Sequence, residues 1–388
     1  MPSLNLQPAT VSDYRALAER RVPRGLFDYL DGGAGEEVSL RQNATDFEHL
    51  RLRQRVLRDV SKIDTGTSLF GTPLKMPLIL APVGMAGMMA RRAEVQAKRA
   101  ADKAGIPFCL STVGICPAEE VAAVSETPFW FQLYMLRDRG IVKEMLDHVW
   151  AQGVRTLVFT VDLAVLGARY RDVRNGLTGG LSGWKKLRAG PVDYALHPRW
   201  LYDVALRGRP HHFGNIARYV KTGGSVVDFQ QWLGGQFDAS VTWKDIAWLR
   251  TVWNGTLVLK GILDPEDARE TLKVGADGMI VSNHGGRQLD GVSSGIAMLP
   301  RIADAVGSET TLLVDGGVRN GQDVVKALAN GAKAALIGRP WVYAVAGAGQ
   351  AGLERMLSTF RHDIATALGL TGFPRAVDVD GSALDSGA

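Results

Sequence analysis

The chain has 388 residues, 46% of them hydrophobic and 22% charged, a balance that supports a large core and excludes wholesale disorder. The formal net charge of +5, with a pI of about 9.2, is a mild basic excess compatible with nucleic acid, anionic lipid or an anionic substrate. Two cysteines, Cys109 and Cys116, have no metal-ligand partners nearby, which argues against a disulfide scaffold or a metal site and suits a reducing, cytosolic compartment.

The first thirty residues lack the basic, apolar, small-residue order of a signal peptide and read as an amphipathic helix. The longest uncharged stretch, MPLILAPVGMAGMMA (76–90), contains two prolines and is shorter than the roughly 20 residues of a spanning helix, so no membrane crossing is expected. From this point short apolar runs recur: MPLILAP (76–82), PFCLS (107–111), FWFQLY (129–134), TLVFTVD (156–162), TLVLKG (256–261), GMIVSN (278–283), TLLVDGG (311–317) and AALIGR (334–339). Runs this short and continuous suit strands buried on both faces of a parallel sheet.

Between most of them lie helical patterns, among them 90–105, 264–276 and 320–332. Asp264 before Pro265 makes an N-cap and first-turn pair, and Gly275 and Gly331 are C-terminal stops. Eight strand-then-helix units predict a single α/β domain over 1–388, a (β/α)8 TIM barrel with an N-terminal helical segment. An open doubly wound sheet is the competing arrangement, but no GxGxxG follows the first strand.

One interval breaks the rhythm. The runs end at 82, 111, 134 and 162, and the next ends only at 261, so a long insert, about 175–240, follows strand four. From 184 to 221 it carries Lys185, Lys186, Arg188, Arg199, Arg207, Arg209, Arg218 and Lys221 against only Asp193 and Asp203, interleaved with Trp184, Tyr194, Trp200 and Leu201. That pattern fits a face lying on an anionic membrane with its aromatic groups turned inward, or a solvated lid over the active site. No nucleic-acid-binding motif accompanies it, so nucleic acid is not an expected partner.

Active-site groups of such barrels gather at the C-terminal strand ends. The last two strands end in DGGVRNG (315–321) and IGRP (337–340), glycine-rich turns with arginines that make an anion site and predict a phosphate-bearing ligand. Lys260 ends an otherwise apolar strand, where an ammonium needs a negative partner: a cofactor on which charge develops, or a carboxylate such as Asp162. His284 and Arg287 follow the sixth run in SNHGGRQLDG (282–291), which puts a base and a cation at the barrel mouth.

SNHGGRQLDG, with WFQLY (130–134), FTVD (159–162), LVLKGI (257–262) and DGGVR (315–319), resembles the FMN-dependent 2-hydroxy acid dehydrogenase and oxidase family over nearly the whole chain. LSTVGICPAEEVA, QLYMLRDRG, GARYRD and KGILDPEDAR look most like its bacterial respiratory L-lactate dehydrogenases. The resemblance implies that Ser111, Gln132, Thr160 and Lys260 contact the isoalloxazine ring of FMN, with Ala81, Pro82 and Val83 along its reactive edge. It implies that Asp315, Gly316, Gly317, Arg319, Gly338 and Arg339 hold the ribityl phosphate. Tyr29, Arg169 and Arg287 match the substrate-carboxylate contacts, Tyr134 the residue beside the substrate hydroxyl, His284 the catalytic base and Asp162 its acidic partner.

The implied activity is oxidation of L-lactate to pyruvate. Electrons would pass to a membrane quinone or another respiratory acceptor, by a homo-oligomer, commonly a tetramer in the family, held peripherally on the inner face of the cell membrane. L-Mandelate or another 2-hydroxy acid is the alternative substrate and dioxygen the alternative acceptor; a non-redox FMN-barrel isomerase is the alternative class. Ala164, Val165 and Leu166 stand where lactate enzymes usually carry prolines, and Val113 where glycolate oxidases often carry tryptophan, so the pocket wall is the least determined part.

Overall fold

The apolar runs take up extended backbone where both faces of each residue are buried, the setting that suits aliphatic and β-branched side chains. The computed structural model describes residues 7–177, 181–219, 235–236 and 238–385; Lys221 and the rest of 220–234 lie outside the described residues. Two short antiparallel strands, β1 (Thr67–Leu69) and β2 (Thr72–Leu74), precede the barrel. The barrel strands are β3 (Leu78–Leu80), β4 (Cys109–Ser111), β5 (Trp130–Leu133), β6 (Thr156–Thr160), β7 (Thr256–Ile262), β8 (Gly278–Val281), β9 (Thr311–Asp315) and β10 (Ala334–Ile337). They are all parallel and ordered β3-β10-β9-β8-β7-β6-β5-β4. A bridge between Leu80 and Phe108 closes the ring, with Leu80 N donating to Pro107 O at 3.0 Å.

Alternation along each strand sends one set of side chains inward. Ile79, Cys109, Val158, Val258, Ile280, Leu313 and Leu336 pack together inside the barrel, joined by Leu69 and Leu74 of the hairpin and by Phe70 at its turn. The hairpin therefore plugs the N-terminal end, and Gly278 is required there because a Cβ would lie 2.9 Å from the Phe70 ring. Three-residue strands leave no period to read, so the sequence did not predict this element.

The helical expectations hold at Ala93–Ala104, Pro265–Lys273 and Gly321–Ala329. Asp264 caps the second by accepting from Glu266 N, and Gly275 and Gly331 adopt positive φ just beyond the helix ends. The expectation of one N-terminal helix needs correction, because Val22-Pro23 breaks it into α1 (Val11–Arg21) and α2 (Arg24–Asp31). A third helix, α3 (Val38–His49), follows, and Thr10 and Asp13 form a capping box on α1.

Asp31, at the end of α2, accepts from Arg15 through both oxygens at 2.7 Å, from Arg171 at 2.8 Å and from Tyr343 Oη at 2.6 Å. This node ties the N-terminal segment to the loop after β6 and to the C-terminal helix Arg339–Thr371. Burial acts to raise the Asp31 carboxyl, but hydrogen bonds from Arg15 and Tyr343 outweigh it and hold it down to about 2. Because the folded state prefers the ionised form, this contribution is full above the unfolded pKa of roughly 3.9 and is lost as pH falls toward 2. Asp31→Asn is expected to cost about 1–2 kcal/mol at neutral pH, a figure discounted for the half-exposed Arg15. Denaturant midpoints of wild type and variant should converge between about pH 5 and pH 2; a gap that does not change with pH would disprove this assignment.

The insert is a series of short helical turns, including Gly183–Leu187 and Pro198–Trp200, rooted on the C-terminal end of the barrel. Trp200 is only 4% exposed and donates from Nε1 to Met88 O at 2.8 Å, in the turn after β3. Asn215 donates to Ser111 O at 3.1 Å and accepts from Ala118 N at 2.8 Å, after β4. Asp203 pairs with Arg21 at 3.2 Å and with Arg91 at 3.5 Å. Trp200 and Leu201 thus pack on the protein itself and drop out of the set expected to lie against a membrane, whereas Trp184 stays exposed. Among the described residues no helix is long and apolar enough to cross a membrane.

Candidate active site

The barrel brings the C-terminal ends of all eight strands to one mouth, and most of the chemistry-bearing side chains stand there because they lie at those strand ends or in the loops that follow, while Tyr29 reaches the mouth from α2. Thr160 and Lys260 are register partners across β6 and β7. His284 follows β8 and has φ 57, with Gly285 and Gly286 at φ 62 and 71. This left-handed run turns the chain sharply back, and a histidine held in it is a strained residue of the kind found at functional sites.

His284 Nδ1 lies 2.8 Å from Asp162 Oδ1, and His284 N donates to Ser282 Oγ at 3.0 Å. With Nδ1 facing the carboxylate, Nε2 is the nitrogen left for another partner. Burial acts to raise the Asp162 carboxyl, but His284 and Lys260 outweigh it and hold it below the usual carboxylate range. Lys260 Nζ is buried, 2.9 Å from both Ser282 Oγ and Asp315 Oδ2. Desolvation acts to lower the ammonium, but Asp315 and Asp162 overcome it, so Lys260 stays charged.

Arg287 and Arg169 converge on Tyr29, their guanidinium carbons 4.9 Å and 6.0 Å from its ring centre. Arg287 donates to Tyr29 O at 2.6 Å and Gly32 O at 2.9 Å. Burial and the neighbouring Arg169 push Arg287 down to about 10. Arg169 is 3.8 Å from Asp172, and its Nε is buried without a partner. Two close, partly buried cations with spare donors form a site for a carboxylate. Tyr134 is buried beside Tyr29 and Asp162, and desolvation pushes its phenol well up, so it stays protonated.

The flavin expectation can be tested on polar atoms. Ser111 Oγ donates to Gln132 Oε1 at 2.9 Å, leaving Gln132 Nε2 buried without a partner, and Asp315 Oδ1 is likewise unmatched. A ring edged with carbonyl and N–H groups would satisfy such atoms, so the residues fit an isoalloxazine. Gly316 and Gly317 have φ 84 and 93, and a Cβ on Gly317 would fall 1.9 Å from Asn43 O, so only glycine fits that turn. Arg319 makes no ion pair among the described residues.

Two of the residues expected at the phosphate have side chains engaged by the protein itself. Asp315 turns to Lys260, and a carboxylate would repel a phosphate. The Arg339 side chain is engaged by Leu30 O, Gly285 O and Gly32 O at 3.0, 2.9 and 2.8 Å. What position 339 can offer an anion is its backbone amide, at the head of the long C-terminal helix beside Gly338.

Gln288 sits inside the quoted motif but received no role from the sequence. Its Nε2 donates to Asp162 O at 2.8 Å and Val165 O at 2.9 Å, and its Oε1 accepts from Gly167 N at 3.3 Å. It clamps the loop carrying Asp162 and Arg169 to the loop carrying His284 and Arg287. A Cβ on Gly167 would meet Arg287 O at 2.3 Å, so the two loops touch backbone to backbone. Gln288→Ala is expected to lower kcat/KM by roughly tenfold to 10²-fold with flavin content unchanged, because misplacement of reacting groups costs that much. Steady-state kinetics at matched flavin content checks this, and an unaltered kcat/KM would remove the clamp. Asn43 and Asn283 exchange hydrogen bonds at 2.9 and 2.8 Å and hold α3 against the same loop; their 240-residue separation hides such a pair from sequence reading.

The comparisons with known proteins agree with this geometry. An L-lactate dehydrogenase of Allorhizobium ampelinum is 50% identical over 97% of this chain and 98% of its own length. One of Xanthobacter autotrophicus is 52% identical over 96% of this chain and 95% of its own length. Among solved structures, the monotopic membrane protein (S)-mandelate dehydrogenase superposes with a TM-score of 0.91 at 36% identity, covering 98% of this chain and 99% of that one. A mandelate oxidase with (S)-4-hydroxymandelic acid gives 0.82 at 35%, covering 97% and 98%. The family profile for FMN-dependent dehydrogenases matches residues 18–386, nearly the whole chain, and this places the chain in that family: it is an FMN-dependent dehydrogenase.

Proposed function

We propose that this enzyme oxidises L-lactate to pyruvate, with His284 as base, and passes the electrons to a lipid-soluble quinone at a membrane surface. The observation that carries the reading is the convergence at one barrel mouth of the His284–Asp162 pair with the Arg169, Arg287 and Tyr29 cluster. Lactate is preferred because relatives at 50–52% identity over nearly the whole chain are L-lactate dehydrogenases, whereas the mandelate enzymes lie at 34–36%.

Arg169 and Arg287 would grip the substrate carboxylate with charge-assisted bonds, fixing the carbon that is to be oxidised. Tyr29 and Tyr134 would flank the carboxylate and the hydroxyl. His284 Nε2 takes one of the two protons that the 2-hydroxy acid loses, and Asp162, ionised and 2.8 Å from Nδ1, stabilises the imidazolium. FMN, when bound, supplies the acceptor for the two electrons. Ser111, Gln132, Thr160 and Lys260 would face its ring, and the amides and arginine of 316–319 with those of 338–339 its phosphate.

Attachment to the inner face of the cell membrane is the second part of the proposal. Lys185, Lys186, Arg188 and Arg199 make no ion pair among the described residues and flank the exposed Trp184 and Leu187, a pattern suited to anionic lipid. The structural likeness to a monotopic mandelate dehydrogenase favours it too, and makes L-mandelate the second substrate to test. The experiment is anaerobic addition of L-lactate, L-mandelate or D-lactate to the holoenzyme while following flavin absorbance. Rapid bleaching by L-lactate alone is expected. Bleaching by mandelate in preference would move the substrate, and no bleaching by any 2-hydroxy acid would overturn the reading.

A further inference from the structure

Most of the exposed large apolar side chains among the described residues lie between 165 and 206, and they begin before the basic insert does. Val165 and Leu166, in the loop after β6, are 73% and 62% exposed. Leu289, in the loop after β8, is 69% exposed, and its neighbour Gln288 donates to Val165 O at 2.9 Å, which brings the three to one place on the rim of the mouth. Water-facing aliphatic groups at three clustered positions are costly unless something apolar covers them.

The insert stands on the same end of the barrel. Its buried Trp200 bonds to Met88 after β3, and its Asn215 bonds to Ser111 at the end of β4, so its roots lie on the mouth side too. Its exposed Trp184 and Leu187 flank Lys185 and Lys186, which make no ion pair among the described residues and charge-match an anionic bilayer. Rim and insert therefore face the same way.

We infer that the rim formed by Val165, Leu166 and Leu289 is a second lipid contact, so that the enzyme docks with its active-site mouth against an anionic bilayer. The inference rests on the membrane reading above and deepens it. In that orientation the loops that carry Asp162 and Arg169, and His284 and Arg287, sit at the lipid surface, and an acceptor dissolved in the bilayer reaches the mouth without entering water. The aqueous substrate then reaches the mouth by the side of the rim not buried in lipid.

Both native cysteines are buried, so a single surface cysteine can be labelled selectively. Holoenzymes carrying Leu289→Cys, Trp184→Cys or Val377→Cys, each with an environment-sensitive fluorophore, would be mixed with vesicles of phosphatidylcholine and phosphatidylglycerol in equal parts, with and without brominated acyl chains. Val377 is exposed but lies in the stretch beside Arg375, whose backbone bridges to Asp64 in the lead-in to the plug at the opposite end. Quenching at 289 and 184 but not at 377 is expected, and the double variant Leu166→Ser, Leu289→Ser should lose vesicle affinity by roughly tenfold or more while keeping turnover with a soluble dye. Quenching at 184 alone, with undiminished affinity of the double variant, would overturn the rim contact and leave the insert's membrane role standing. No vesicle binding by any of the proteins would overturn both, as would binding that requires a membrane protein in place of lipid.

Discussion

Replacing His284 with glutamine is expected to leave FMN bound and to lower kcat by on the order of 10²- to 10⁴-fold, the usual contribution of a positioned proton acceptor. The residues suited to the flavin, Gln132, Lys260 and the 316–319 turn, make no hydrogen bond to the imidazole, so flavin content after dialysis should match wild type. Glutamine can accept a hydrogen bond but holds no proton at working pH, and Asp162 then has no imidazolium to stabilise. Loss of His284 also removes the hydrogen-bonding partner that does most to hold the Asp162 carboxyl down, so that group should rise toward its ordinary range with Lys260 still opposing. His284→Asn is the companion variant, since asparagine accepts the left-handed backbone at φ 57 more readily. Turnover near wild type in either variant, at equal flavin content, would sink the assignment of His284 as base.

How much of this could be read from the chain depends on the length scale of the interaction. The barrel strands were legible because burial on both faces leaves continuous apolar runs, and the site was legible because a barrel delivers strand ends to one place whatever their spacing in sequence. His284, Asp162 and Lys260 each follow a run directly, so their convergence followed from the topology alone. Side-chain direction was not legible. Asp315 and Arg339 lie in the turns that the sequence offers to a phosphate, yet the first pairs with Lys260 and the second with three carbonyls, choices made by geometry that only the packed fold sets. The same holds for Trp200, whose indole looked like a membrane group beside its lysines until Met88 O claimed its N–H. The Asp31 node and the Asn43–Asn283 pair join segments far apart in the chain, and no local pattern announces them.

Arg287→Lys is expected to lower kcat/KM by on the order of 10³-fold, mainly through KM, although the substitution keeps a nominal charge. Arg287 uses Nη1 to hold Tyr29 O and Gly32 O, which fixes its plane and leaves its other face toward the mouth. Lysine has one compact ammonium and cannot anchor to both carbonyls while presenting a two-pronged face to a carboxylate. Its charge is also at risk. Burial and Arg169 already bring the guanidinium down to about 10, and the same two forces acting on an ammonium, which starts roughly two units lower, would bring its loss of charge to about pH 8. The sign follows: the lysine is a cation below about pH 8 and loses its charge above it, so kcat/KM of the variant should fall as pH rises from about 7 to about 9, while wild type, charged over that range, shows no such loss from this position. Parallel pH profiles for wild type and Arg287→Lys at saturating soluble acceptor decide the matter. Profiles of the same shape, differing only in height, would mean that lost geometry and not lost charge accounts for the defect, and equal kcat/KM values would remove Arg287 from substrate binding.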